Sequence, residues 1–361
     1  MLRTAVNTRF ARSTNIGRRP VLAALAATCL APSKTQAVTL LEWRIFAERF
    51  VAPNGRVIDT GNAGVSHSEG QGWGLMLAAV AGDRPTFENI RGWTREVLQH
   101  RQDRLHAWRF RPDATPAIDD PNNATDGDLY IAWGLLLGAE RWREVAWRQE
   151  AVAIGRDILR LTLRRAQGQA LLLPGAAGFE SAEGMVLNPS YIALPAFAAL
   201  ARAMPGAPWP TLAQDGTNLL RRARFGAWGL SPDWVLVPPG GAALRLPQRW
   251  PPRFSFDAVR VPLLLAWAGE QNHPAVTAAA AFWSDSRWRE PPAYVDLVTG
   301  EPANFQASPG VRAIASFVMA RRSGNAFAVA IPSVNDSRDY YSASLTMLVR
   351  FACLATGTPV G

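Results

Sequence analysis

Ser68-Glu69-Gly70-Gln71-Gly72-Trp73-Gly74 runs directly into Leu75-Met76-Leu77-Ala78-Ala79-Val80, and the fold is read outward from that junction. A polar start followed by an apolar run predicts a buried helix beginning near Ser68. Ser68 and Gln71 have capping-box spacing, with Glu69 at the first helical position. Gly70, Gly72 and Gly74 would each cost up to ~1 kcal/mol in a helix interior, which predicts backbone that something approaches closely. The arrangement recurs twice. Ala124-Thr125-Asp126-Gly127-Asp128 precedes Leu129-Tyr130-Ile131-Ala132-Trp133, with Thr125 or Asp126 able to cap. Phe254-Ser255-Phe256-Asp257-Ala258-Val259-Arg260 precedes the apolar run from Val261 to Ala268.

Apolar spacings of three and four continue through Leu40-Leu41-Trp43-Phe46-Phe50 and Phe87-Ile90-Trp93-Val97. They return over about 145–166, 190–204, 211–224, 257–268, 273–285, 309–322 and 340–354, which predicts about eleven helices in all. Strand-like pieces at Ala170 to Leu173 and Trp234 to Val237 are peripheral. There is no βαβ alternation and no Pro/Ser-rich linker, so the expectation is one all-α domain over 38–361.

The chain has 361 residues, 48% of them hydrophobic and 19% charged, enough apolar material for a large core. Its net charge of +9 is concentrated at the start. Residues 1–37 carry Arg3, Arg9, Arg12, Arg18, Arg19 and Lys34 with no acid, and without them the balance is +3. That is no polyanion-binding signature, so no nucleic-acid partner is expected. The same residues read as a secretion signal: a basic stretch to Arg19, an apolar run from Val21 to Ala31, and cleavage near Ala37. The run is too short to span a bilayer and no later segment is long enough, so a periplasmic or secreted protein without stable membrane insertion is expected. Two Cys and four His exclude a disulfide framework and leave little for a metal site. Cys29 falls in the leader, and Cys353 is expected to pack in the core as a small hydrophobe.

Acid and aromatic chemistry remain. Each of Glu69, Asp126 and Asp257, taken singly, reads as an acid favoured by a helix dipole. Taken together, three acids opening three apolar helices are placed to share one end of a helical barrel, and paired carboxylates in a cleft are what glycoside hydrolysis needs. Arg260, three residues beyond Asp257, lies on the same helix face and would hold it ionised. The two Asp of 126–128 lack the further ligands of an EF-hand, no Gly-Lys-Ser/Thr completes a phosphate loop, and no Gly-x-Ser-x-Gly elbow supports a serine hydrolase at Ser66 to Ser68. No metal or cofactor is called for. Fourteen Trp is a heavy load for an exported protein; most will be core, while the group suits stacking against sugar rings.

At these residues the sequence resembles the bacterial cellulases of glycoside hydrolase family 8, especially the periplasmic endoglucanases associated with cellulose synthesis. The resemblance spans Gly55 to Tyr341. It is carried by Ser68-Glu69-Gly70-Gln71, the stretch from Ala124 to Trp142, Asn188-Pro189-Ser190-Tyr191, Ser231-Pro232-Asp233-Trp234-Val235 and Asp257-Ala258-Val259-Arg260-Val261. It implies an (α/α)6 barrel that hydrolyses a β-1,4-glucan chain with inversion; a monomer in functional association with cellulose synthesis machinery is a separate expectation. The resemblance further implies Glu69 as general acid, Asp257 as the base that activates water, and Asp126 as the acid that binds and distorts the sugar. Trp108, Tyr191 and Trp73 would contact substrate, and Arg260 would orient Asp257. A xylanase, a chitosanase and a non-catalytic glucan-binding protein are the alternatives. The sequence departs from the family pattern at Trp73 and Phe256, each where Tyr is common, and at Ile192-Ala193-Leu194. A helix start favours an ionised Glu69 whereas a general acid must hold its proton, so Trp73 and Asp126 are expected to raise its pKa.

Overall fold

The computed structural model describes residues 34–361. The expected leader therefore lies almost wholly outside the described residues, as does Cys29. Eleven α-helices are present among them: α1 Lys34–Phe50, α2 Ser68–Ala81, α3 Arg84–Trp93, α4 Thr125–Trp142, α5 Val145–Thr162, α6 Leu194–Ala203, α7 Trp209–Arg222, α8 Arg260–Trp267, α9 Pro274–Trp283, α10 Pro309–Arg322 and α11 Tyr340–Thr356.

Their packing is an (α/α)6 arrangement. Helices α2, α4, α6, α8, α10 and α11 each pack on the next, and α11 returns to α2 to close an inner ring. Around it α1 packs on α11 and α2, α3 on α2, α5 on α4 and α6, α7 on α6, and α9 on α8 and α10. The connection between α10 and α11 takes the remaining outer place with a single 3-10 turn, Val334–Asp336, packed against α1 and α11. Helix composition explains the sorting. The inner α2, α8 and α11 are buried on almost every side, whereas the outer α7 buries only one stripe, from Trp209 through Leu212 and Gly216 to Leu220. Cys353 packs in the core on α11.

The glycines of α2 serve this ring. A Cβ at Gly72 would lie 2.6 Å from Tyr130 Cβ and 2.7 Å from the Ile131 backbone nitrogen, and one at Gly134 would lie 2.6 Å from Leu75 Cβ. The close approach anticipated from the sequence is thus made by the protein itself, by α4 at Gly72, by Tyr340 at Gly70 and by Val57 and Ile90 at Gly74, rather than by a ligand. Gly72→Ala is expected to destabilise the fold by about 1–3 kcal/mol through overpacking, read as a lowered melting temperature; an unchanged midpoint would contradict the packing described.

Several boundaries differ from the sequence reading: the run at 190–204 becomes a helix only at Leu194, and that at 257–268 only at Arg260, so Asp257 precedes its helix. The helical run at 145–166 ends at Thr162, and Leu163–Ala166 instead forms an antiparallel hairpin with Gln169–Leu172. The run from Phe87 to Val97 is split into α3 and a π-helical turn, Thr94–Leu98. A further strand, Gly184–Leu187, joins Val235–Val237 in a small peripheral sheet.

Candidate active site

The starts of the inner helices converge. Glu69 lies in the first turn of α2, Asp126 in the first turn of α4, and Asp257 in the turn immediately ahead of Arg260, which opens α8. The 3-10 turn Pro189–Tyr191 leads into α6, and Tyr340–Tyr341 open α11. The expected caps are not formed. His67 precedes α2 without a side-chain cap, and Gln71 is drawn away, accepting the Val57 N–H at 2.6 Å and donating to Thr94 Oγ1 at 2.8 Å. Ala124 precedes α4, also without a side-chain cap. Thr125 donates to the Leu173 carbonyl, and Asp126 accepts from the Gly127 N–H at 2.8 Å.

One buried guanidinium joins the three acids. Arg260 Nη1 pairs with Glu69 Oε1; Nη2 lies 2.7 Å from Asp257 Oδ1 and 3.8 Å from Asp126 Oδ2, and donates to Ser190 Oγ at 2.9 Å. Ser190 is fixed in turn by Asn188 Oδ1, which accepts both its N–H and its hydroxyl. Glu69 is 21% exposed and Asp257 32%, whereas Asp126 is 3% exposed, so the first two reach the surface and the third forms the floor. Beside Asp257, an open groove of ≈ 920 Å³ is lined by Phe256, Tyr341, Phe305, Asp59, Arg312 and Asp339.

Burial dominates the electrostatics. It pushes the Asp126 carboxyl up to about 7, with Asp128 adding to the rise and the Gly127 N–H and Tyr191 hydroxyl opposing it. Asp257 is raised well above the usual carboxylate range by burial and by the charges of Asp233 and Asp126, with the Asn188 side chain opposing the rise. Burial lowers Arg260 from the ordinary arginine range, where guanidinium loses its proton only at extreme pH. Among the described residues no group of three or more His, Cys, Asp or Glu side chains is placed to hold a metal ion.

Comparison with known proteins places this architecture. The model of glycosyl hydrolases family 8 matches residues 15–354. The chain belongs to glycosyl hydrolase family 8. It is 40% identical over 311 residues to a probable endoglucanase of Novacetimonas hansenii, covering 86% of this chain and 90% of that protein. It is 38% identical over 273 residues to an endoglucanase of Cellulomonas uda, covering 75% of each. The solved endo-beta-1,4-glucanase CMCax from Acetobacter xylinum superposes with a TM-score of 0.83 at 38% identity, covering 89% of this chain and 99% of that one.

Within this family 8 fold the aromatic residues are placed unequally. Tyr191 is half-buried, and its hydroxyl bonds Asp126. Trp108 stands beside Glu69, because its carbonyl accepts the Ser68 N–H at 3.0 Å. Its indole N–H donates to Asp120, His67 stacks 5.9 Å from it, and the Arg109 guanidinium lies 4.3 Å over its ring, where a sugar would have to replace it. Trp73 corrects an expectation. It is 0% exposed, packs on Tyr130 and Tyr341, and lies 5.6 Å beneath the Arg260 guanidinium, so it supports the cation and offers no face to a sugar.

Sequence reasoning assigned no role to four residues that the family 8 site uses. Asn188 fixes Ser190, which accepts from Arg260, Tyr341 donates to the Phe256 carbonyl, and Asp233 accepts backbone N–H groups of the Asp257 turn. Asn188, Ser190 and Asp233 lie in motifs that the family resemblance singled out and Tyr341 at the end of its span; only the partner of each was missing.

Proposed function

We propose that this family 8 protein is an exported endo-β-1,4-glucanase that cleaves cellulose-type glucan by inversion, with Glu69 as general acid and Asp257 as base. The convergence of Glu69, Asp126 and Asp257 on the Arg260 guanidinium carries this reading, since only Glu69 and Asp257 reach the surface from opposite nitrogens of that cation. In the reaction Glu69 gives its proton to the glycosidic oxygen as the bond to the anomeric carbon breaks. Water attacks that carbon from the opposite face and loses its proton to Asp257. Asp126, on the floor, meets a sugar only when the ring is pressed deep into the cleft, which favours distortion at the cleavage point.

Arg260 and the start of α2 both favour an ionised Glu69. The opposing influence is crowding: three carboxylates about one guanidinium would carry two excess negative charges if all were ionised, so the cluster retains a proton. Glucan bound over the cluster excludes water from it, which favours the protonated form that Glu69 needs as the acid. The raised Asp257 gives the other half of a bell-shaped profile, a base that takes up its proton at higher pH than a free carboxylate.

Side-by-side assays on carboxymethylcellulose, xylan and chitosan test the substrate. Turnover fastest on carboxymethylcellulose and abolished by Glu69→Gln is expected; preference for xylan or chitosan overturns the substrate, and full activity in Glu69→Gln overturns the acid. The basic leader supports export, and no helix among the described residues is long and apolar enough to cross a membrane. Cell fractionation tests export, light scattering tests the monomer, and co-purification tests the association with cellulose synthesis machinery.

A further inference from the structure

Asp233 has no place in the acid–base pair, yet it is tied to it by backbone. Its Oδ1 accepts the Ser255 N–H at 3.0 Å and the Ala258 N–H at 2.8 Å. Two N–H donors of the turn that carries Asp257, one on each side of that residue, thus point at one carboxylate oxygen. Its own N–H bonds the Arg253 carbonyl at 2.7 Å, which fixes Asp233 to the strand leading into that turn. Tyr341 holds the turn from the other side through the Phe256 carbonyl. Burial pushes the Asp233 carboxyl up to about 7, opposed by backbone N–H groups of that turn and by Arg253, and the charge of Asp233 adds to the rise of Asp257.

We infer that Asp233 is the positioning residue of the base: it grips the backbone on both sides of Asp257, fixing where that side chain points, and as a like charge beneath it sets the pH at which it works. The inference rests on Asp257 being the base. The groups facing Asp257 are Asp126 and Tyr130 from α4, Asn188 and Tyr191 from the turn before α6, Arg260 from α8 and Tyr341 from α11. Glu69 of α2 meets the same guanidinium. None of these groups takes up the N–H bonds of the turn.

The test is Asp233→Asn, made in the wild type and in Asp257→Asn, with kcat and KM followed against pH on a soluble cello-oligosaccharide. Asn keeps an acceptor oxygen but loses the charge. A negative neighbour raises Asp257 and a neutral one does not, so the acidic limb, where the base becomes protonated, is expected to move to lower pH in Asp233→Asn. Asp233→Ala, which also releases the turn, is expected to lose up to ~100-fold in kcat with KM little changed. Neither change should lower the residual rate of Asp257→Asn further. An unmoved acidic limb overturns the inference, as does an equal loss in the Asp257→Asn background or a chain that no longer folds by circular dichroism, since Asp233 would then serve the whole domain. Full activity in Asp257→Asn alone overturns instead the assignment of the base.

Discussion

Asp257→Asn is expected to lower kcat on a soluble cello-oligosaccharide by ~10²–10⁴-fold while KM changes little, the usual contribution of a positioned general base. The amide keeps the shape of the side chain and one acceptor for Arg260 Nη2, which lies 2.7 Å from Asp257 Oδ1. Binding is therefore preserved while the site that takes a proton from water is lost. The acidic limb of the profile should disappear with it. A variant retaining wild-type kcat and the same limb would remove Asp257 from its role. The size of the effect distinguishes the base from its supports: removing Asn188 or Tyr341 leaves a carboxylate that still accepts a proton and should cost less.

Arg260→Leu is expected to cost about 3–5 kcal/mol of stability at neutral pH, because it leaves buried carboxylates without their cation. The pH dependence carries the sign. Asp126, already up to about 7, and Asp257, already raised, climb further once the guanidinium is gone. A carboxylate whose folded pKa lies above its unfolded value binds more protons in the native state between the two values, so stability falls as pH rises through that window. The deficit of Arg260→Leu should therefore be largest near pH 8 and shrink toward pH 5, read as the difference in denaturation midpoint from wild type. A pH-independent deficit would mean that Arg260 acts by packing over Trp73 rather than by charge. The activity of Arg260→Leu should fall with stability held equal, since Ser190 and Asn188 then lose the group they position.

The architecture was legible where local pattern and tertiary demand coincide. Leu75 to Val80 and Leu129 to Trp133 are apolar on every side because they form the inner ring, and the acid ahead of each run marks the end where the ring opens. Helix caps were not legible. Ser68 and Gln71 have the right spacing, but Gln71 is claimed by Val57 and Thr94, partners remote in sequence that no local rule reveals. Trp73 was misread for a related reason: an aromatic beside a catalytic acid looks like a sugar platform until its helix is rotated into the ring, where it lies at 0% exposure. Asp233 carries no periodic or motif signal of its chemistry, because it acts through backbone N–H groups more than twenty residues further along the chain. Arg260 was assigned to Asp257 from its i+3 spacing, and that contact is present. Its reach to Glu69 and Asp126 depends on three helix starts meeting, which only the closed ring supplies.

The proposed pairing of Glu69 as acid with Asp257 as base is tested most directly by the configuration of the first product. Proton NMR of cellopentaose hydrolysis, recorded before mutarotation, should show the new reducing end appearing as the α-anomer, because water activated by Asp257 enters opposite the β-linked leaving group that Glu69 protonates. First appearance of the β-anomer would contradict it, since retention requires one carboxylate to attack the sugar itself.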